Sequence, residues 1–192
     1  MIKIYDDIIS KDLQDKILNK LNSSEDFAWY LYNDTAGEHK ELFNHKNIKE
    51  YLQFNHLFYG FDYEKQKSYI NSDTTLVDEL INEIITYLKW DKCEIFRVKS
   101  NLQTQHSENK LKYFNTPHID FKMLKNIVCL YYVNDSDGDT IFFDNRKQLN
   151  ITKKVSPKKG RFIIFDGDIL HTGKHPIKSK NRLVININFR KQ

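Results

Sequence analysis

Between Ser72 and Lys89 the apolar residues Leu76, Val77, Leu80, Ile81, Ile84, Ile85 and Leu88 recur at steps of three and four. That is the period of one wide helix face, starting at Ser72 or Asp73. A helix so one-sided must cover something, most simply the outer face of a sheet. A shorter helix is predicted over residues 11–22, with Ser10 as N-cap, Asp12 in the first turn and Leu13, Ile17, Leu18 and Leu21 on one face. Ile2 and Ile4 predict a short opening strand, and Asn55–Gly60 another. The aromatics Phe27, Trp29, Tyr30 and Tyr32 between Asp26 and Asp34 are expected in the core.

From Glu94 onward the pattern changes to short β-rich runs separated by turns: 94–99, 126–133, 139–143, 150–155, 160–165 and 182–190, with a short piece around 169–172. Asn101–Asn115 is polar and predicts no regular structure. Many short antiparallel strands after a helical section predict a mainly β chain with N-terminal helices. The expected architecture is a jelly roll, the double-stranded β-helix of cupins, buttressed by those helices. A single domain over 1–192 is expected, with a helical or mixed part over 1–92 and a jelly-roll core over 93–190.

Composition narrows the class further. The 192 residues are 40% hydrophobic and 29% charged, which suits one soluble globular domain. No apolar run approaches a membrane span, and the first residues lack the apolar region of a signal peptide, so a cytoplasmic location is expected. Cys93 and Cys129 sit in apolar runs and are read as buried reduced thiols. A net charge of +4 is mild. Lys153, Lys154, Lys158 and Lys159 around Pro157 are read as a solvated turn, not a nucleic-acid patch. His39, His45 and His175 are expected on the surface, and His56 is read as a hydrogen-bonded structural residue.

The chemistry concentrates between Pro117 and Phe189. His118 and Asp120 form H-I-D, and in an extended strand residues two apart share a face, so both can reach one ion. His171 closes Asp166-Gly-Asp-Ile-Leu-His171 after an apolar run. Two histidines and one carboxylate with open positions describe the facial triad of non-haem Fe(II) oxygenases, whereas four closed ligands would mean a structural metal. Arg182 opens the last strand-like run, and its guanidinium suits a carboxylate. If Arg182 points inward, so do Val184, Asn186 and Asn188, while Leu183, Ile185, Ile187 and Phe189 face the covering layer. Asp166 and Asp168 are read as turn residues.

The ordered set resembles the Fe(II)/2-oxoglutarate-dependent dioxygenases, in particular their prolyl-4-hydroxylase-like branch. Ile127–Asn134 resembles the strand after H-x-D, Asp137-Gly-Asp-Thr140 the following turn, and Pro157-Lys-Lys-Gly-Arg-Phe162 the entry to the distal-histidine strand. His171-Thr-Gly and Arg182 complete the pattern. The resemblance implies Fe(II) on His118, Asp120 and His171, with 2-oxoglutarate and O2 as co-substrates. It implies Arg182 at the distal carboxylate of 2-oxoglutarate and Tyr132 in contact with it, with Asn186 and Asn188 lining the same site. It also makes Asn101–Asn115 a lid, with His106 within reach of substrate. The implied activity is hydroxylation of a small-molecule or peptide substrate, a prolyl residue or a free amino acid among the candidates, with release of succinate and CO2. A nucleic-acid dealkylase is similar in H-x-D but carries a second arginine where this chain has Asn188. A cupin-like metal-binding protein without oxygenase activity is the other alternative, and Arg182 and Tyr132 argue against it. Neither nucleic acid nor membrane is an expected partner.

Overall fold

In the computed structural model, residues 1–23, 25–33, 46–90, 92–108, 112–121 and 124–191 are described. His39 and His45 lie outside them. The strands, in chain order, are β1 (Ile2–Tyr5), β2 (Tyr30–Tyr32), β3 (Gln53–Asp62), β4 (Lys67–Ile70), β5 (Cys93–Thr104) and β6 (Ile127–Tyr132). There follow β7 (Thr140–Phe143), β8 (Ile151–Val155), β9 (Phe162–Asp166), β10 (His171–Gly173) and β11 (Asn181–Lys191). The two helices are α1 (Lys11–Asn22) and α2 (Thr75–Leu88).

The strands form two antiparallel sheets. The larger has the order β1-β9-β6-β11-β5-β3-β2, with β4 pairing with β3; the smaller has the order β10-β7-β8. This is the expected mainly β jelly roll with its helical buttress. α1 and α2 lie on the outer face of the large sheet. There Leu13, Ile17, Leu21, Val77, Leu80 and Ile84 pack with Leu183, Ile185, Ile187 and Phe189 of β11. The inner face, toward the small sheet, buries Val128, Leu130, Tyr132 and Val184 with Phe142, Val155 and Phe165. The parity read from the sequence therefore holds on β11, and β6 divides in the same way, with Cys129 and Tyr131 on the outer face.

Ser10 stands at the start of α1 without capping it. Its hydroxyl and its backbone N–H both donate to the Glu83 carboxylate of α2, at 2.7 and 2.8 Å, and so tie the two helices together. α2 begins at Thr75, two residues after Asp73 and three after Ser72, the two expected starts. It ends at Lys89, whose left-handed backbone (φ 54°) lets its N–H return to the last turn.

Three expectations are corrected. β5 continues to Thr104, so Asn101–Thr104 belongs to the sheet: pairing with β11 along the segment, and with β3 at Asn101 and Leu102, holds the backbone, and the Asn101 and Gln103 side chains turn into the cleft instead of solvent. Tyr30 and Tyr32 lie on the short edge strand β2 and are exposed, whereas Phe27 and Trp29 join the margin of the core. His175 is buried, at 3% exposure, because the chain after β10 folds beneath the end of β5. Its Nδ1 pairs with the Thr104 carbonyl at 2.9 Å, and its ring stacks on His106. His56 is structural as read, held by the Ala28 carbonyl and the Ser72 hydroxyl.

Leu80 is fully buried at the centre of the helix–sheet layer. Leu80→Ala should cost about 2–5 kcal/mol of unfolding free energy, measured by urea denaturation, because the surrounding sheet cannot collapse into the space left.

Candidate metal centre

The H-I-D segment is not a full strand. His118 and His171 instead share an isolated antiparallel bridge, His118 N–H donating to the His171 carbonyl at 2.9 Å and the reverse bond measuring 3.0 Å. That bridge brings the two imidazoles side by side, with ring centroids 4.9 Å apart and planes tilted by 45°. Asp120 follows in a bend, and its carboxylate comes within 3.9 Å of His118 Nε2. One potential ligand atom from each of His118, Asp120 and His171 lies within 4.8 Å of the others, the one such group found among the described residues.

The tautomers of both histidines follow from their partners. His118 Nδ1 faces the Thr116 carbonyl at 3.2 Å, and His171 Nδ1 faces the Ile169 carbonyl at 2.9 Å. A carbonyl only accepts, so each Nδ1 carries the proton and each Nε2 keeps its lone pair for a metal. Burial, then the neighbouring His171, pulls His118 down to about 3, while Asp120 works in the opposite direction. Burial also lowers His171. Both rings are thus neutral in the near-neutral range, as ligation requires.

Asp120 is almost fully enclosed. Burial disfavours its charge, but Arg97 beside it holds the carboxyl well below the usual range. Arg97 Nη2 lies 3.0 Å from Oδ1, and its guanidinium also covers the Phe121 ring. Oδ2 accepts hydrogen bonds from the side-chain amides of Asn186 (3.0 Å) and Asn188 (2.9 Å). The sequence places these two asparagines in the cleft; the structure places their amides on the carboxylate. An anionic oxygen donor beside two neutral imidazoles is the donor set that a divalent iron ion takes, so the residues fit Fe(II).

A cleft opens beside the three residues, lined by His118, His171, Lys99, Gln103, Arg182 and Asn186 among others. Arg182 closes one end. Its Nε donates to the Gly138 carbonyl at 2.7 Å, Nη1 to Gln103 Oε1 at 3.0 Å and Nη2 to Thr140 Oγ1 at 2.8 Å. The side chain passes between two glycines. A Cβ on Gly138 would come 2.9 Å from Arg182 Cδ, and one on Gly173 would come 3.0 Å from Nη1. Tyr132, fully buried, donates its hydroxyl to Thr140 Oγ1 and lies beside the guanidinium; burial raises its phenol to about 12, with Arg182 opposing. Asp137 fixes the approach to β11 by accepting from the backbone N–H groups of Ile177, Lys178 and Ser179.

Arg97, Lys99, Gln103 and Thr140 were not singled out from the sequence. The signal was the alternation Arg97, Lys99, Asn101, Gln103 against Phe96, Val98 and Leu102, hidden by ending the strand at residue 99. His106 stacks on His175 in a separate hollow with Tyr51 and Tyr113, outside the residues lining the cleft.

His118 and His175 set a pH dependence. They fall to about 3 and about 4 in the folded chain from an ordinary 6.5, burial being the first cause for both. The unfolded chain therefore binds more protons, and stability falls as pH drops from the unfolded value toward the folded ones. Urea unfolding of the metal-free protein should give a lower midpoint at about pH 5 than at about pH 7, and His175→Gln should flatten the difference.

Residues 102–190 match the family model of the 2OG-Fe(II) oxygenase superfamily. No curated protein matches the chain in sequence. Among solved structures, the fold is similar to a 2OG-Fe(II) oxygenase family oxidoreductase from Burkholderia pseudomallei: TM-score 0.72, 8% identity, covering 100% of this chain and 85% of that one. It is similar to a Trichoplax adhaerens prolyl hydroxylase in complex with a hypoxia-inducible-factor peptide fragment, with TM-score 0.64, 12% identity and coverage of 99% and 83%. It is also similar to HygX of Streptomyces hygroscopicus with nickel, 2-oxoglutarate and hygromycin B bound, with TM-score 0.57, 7% identity and coverage of 98% and 82%. The family match over residues 102–190, a fold similar to that of prolyl hydroxylases and a His-Asp-His site together support a 2-oxoglutarate-dependent dioxygenase, an enzyme that works with Fe(II), 2-oxoglutarate and O2.

Proposed function

We propose that the enzyme hydroxylates a small-molecule or peptide substrate, with His118, Asp120 and His171 holding Fe(II) and Arg182 holding the distal carboxylate of 2-oxoglutarate. The observation that carries this reading is the convergence of three ligand atoms within 4.8 Å in a cleft that Arg182 also lines. Bound Fe(II) supplies the oxidation, in which 2-oxoglutarate and O2 yield succinate and CO2 and one oxygen atom enters a substrate C–H bond.

The chain's own residues do the remaining work. The Thr116 and Ile169 carbonyls fix each imidazole with its Nε2 unprotonated and toward the site. Asn186 and Asn188 orient Asp120 and keep it ionised. Arg182 spends three of its N–H donors on protein oxygens, and a guanidinium has five, so two remain for a carboxylate. Tyr132 completes that end by holding Thr140 in place, and its part toward 2-oxoglutarate runs through this contact. The apolar wall of Leu130 and Val184 between the two ends keeps water out, which strengthens every charge interaction inside. Helices and sheet work as one catalytic domain in this reading. The free thiols of Cys93 and Cys129 suit a reducing compartment, and with no helix among the described residues able to cross a membrane, the cytoplasm is the location it assigns.

Two variants test it. Asp120→Ala should abolish Fe(II)-dependent consumption of 2-oxoglutarate and lower metal affinity in a folded protein; ordinary metal binding and turnover in that variant would sink the ligand assignment. Arg182→Lys keeps the charge but loses the planar fork. Anaerobic calorimetry on metal-loaded protein should show 2-oxoglutarate binding weakened by about tenfold or more, with metal affinity little changed. Arg182→Ala should lose about 2–5 kcal/mol of that binding. It should also lower the melting temperature, because the partners of a buried cation are left unpaired. An unchanged 2-oxoglutarate affinity in both would remove the clamp.

A further inference from the structure

The cleft has a cation at each end, and the function proposed above uses only one. Strand register fixes where the second sits. On the inner face Arg182 pairs with Gln103, Val184 with Asn101, Asn186 with Lys99 and Asn188 with Arg97. Lys99 is therefore four residues from the Arg182 level, about 13 Å along the strand. It stands beside Asn186, the residue that bonds Asp120, and so at the level of the metal ligands. Its neighbour Arg97 is committed to Asp120. The Lys99 ammonium has no hydrogen bond or ion pair among the described residues, although its side chain is half-buried in the cleft wall, where Asp120 attracts it and Arg97 repels it.

An unmatched buried ammonium costs stability unless a ligand supplies its anion. Beside it stands an unmatched acceptor. Asn186 is 4% exposed, and its Oδ1 has no partner. The orientation of this amide is fixed by chemistry, because Asp120 only accepts and must face Nδ2; Oδ1 is left on the other side. Asn101 Oδ1, one row along on the same face, is likewise buried without a partner. A ligand that answers both features carries a carboxylate for Lys99 and a nitrogen donor for the asparagine oxygens. 2-Oxoglutarate has no such donor near neutral pH. A free α-amino acid has both groups on adjacent atoms.

We propose that the primary substrate is a free amino acid whose carboxylate pairs with Lys99 and whose amino group faces Asn186 Oδ1 and Asn101 Oδ1. This rests on the function proposed above and narrows it. It disfavours an internal peptide residue, whose main chain offers Lys99 no carboxylate. It also disfavours a nucleic-acid base, which brings no carboxylate either.

The test uses the Ni(II)-loaded, 2-oxoglutarate-saturated protein under anaerobic conditions, titrated calorimetrically with the proteinogenic L-amino acids and with their carboxamides. At least one free amino acid should bind and its carboxamide should bind far more weakly. Lys99→Met should weaken that amino acid by about 10- to 100-fold, the value of one charge-assisted contact, while Lys99→Arg restores part of it. The affinity for 2-oxoglutarate should be the same in all three proteins, which also shows that the variants are folded. Two results overturn the inference while leaving the oxygenase intact: no free amino acid binds, or Lys99→Met weakens 2-oxoglutarate and not the amino acid, which would put the co-substrate's own carboxylate at Lys99. Failure of the wild type to bind Ni(II) and 2-oxoglutarate would overturn both the inference and the function beneath it.

Discussion

A carboxylate that stays ionised while buried must be surrounded by cations and hydrogen-bond donors, and the inner face of the large sheet is arranged around that demand. Asp120 is served from two strands at once: Arg97 from β5, and Asn186 and Asn188 from β11. The three reach it together only because β5 and β11 pair in one register, with Asn188 opposite Arg97 and Asn186 opposite Lys99. A slip of one residue would turn all of them to the outer face and put Leu183, Ile185 and Ile187 against the carboxylate. Helix packing on that outer face therefore protects the site's electrostatics. The apolar contacts of α1 and α2 with β11 hold the register that keeps the polar side chains inside.

Arg182 poses the same problem with opposite sign at the other end of the cleft. A buried guanidinium needs oxygen partners and needs room, and the turns around it supply both. Gly138 gives its carbonyl, Gln103 and Thr140 give side-chain oxygens, and the lack of a side chain at Gly138 and Gly173 leaves space for the stem and the fork. The glycines of Asp137-Gly and His171-Thr-Gly thus have a steric reason to sit where they do. Asp137 adds the third element by tying the segment before β11 to the turn before β7. Arg182 is a structural cross-link, so its replacement bears on stability as well as on the co-substrate binding proposed for it.

The helices, the opening strand and the jelly-roll class were legible because each rests on local pattern. The α2 stripe has the period of a helix face, β6 is a continuous apolar run, and β11 alternates apolar and polar residues from Ile185 to Phe189. The grouping of His118, Asp120 and His171 with Arg182 on one cleft was legible through residue type and order. What failed were statements about burial of polar residues. Asn101 and Gln103 are polar yet belong to β5, since their side chains line the cleft while their backbone pairs within the sheet. His175 was placed on the surface from its polar setting and is enclosed by the end of β5 and His106. Tyr30 and Tyr32 carried the reverse error, aromatic by composition and exposed because β2 is the last strand of its sheet.

By itself, then, the sequence determined which chemistry is present and on which segments: two imidazoles, one carboxylate and one guanidinium in the order of a known family, with periodicities that set one face of each element against the core. Those properties are local, carried by side-chain identity and by the two- and 3.6-residue repeats of strand and helix. Tertiary structure alone decided how the charges are answered. That Asn186 and Asn188 serve Asp120, that Arg97 pairs with it, and that the Lys99 ammonium has no hydrogen bond among the described residues depend on which residues of β5 lie opposite which residues of β11. Cross-strand register brings together residues some ninety positions apart, and no pattern within either segment encodes it.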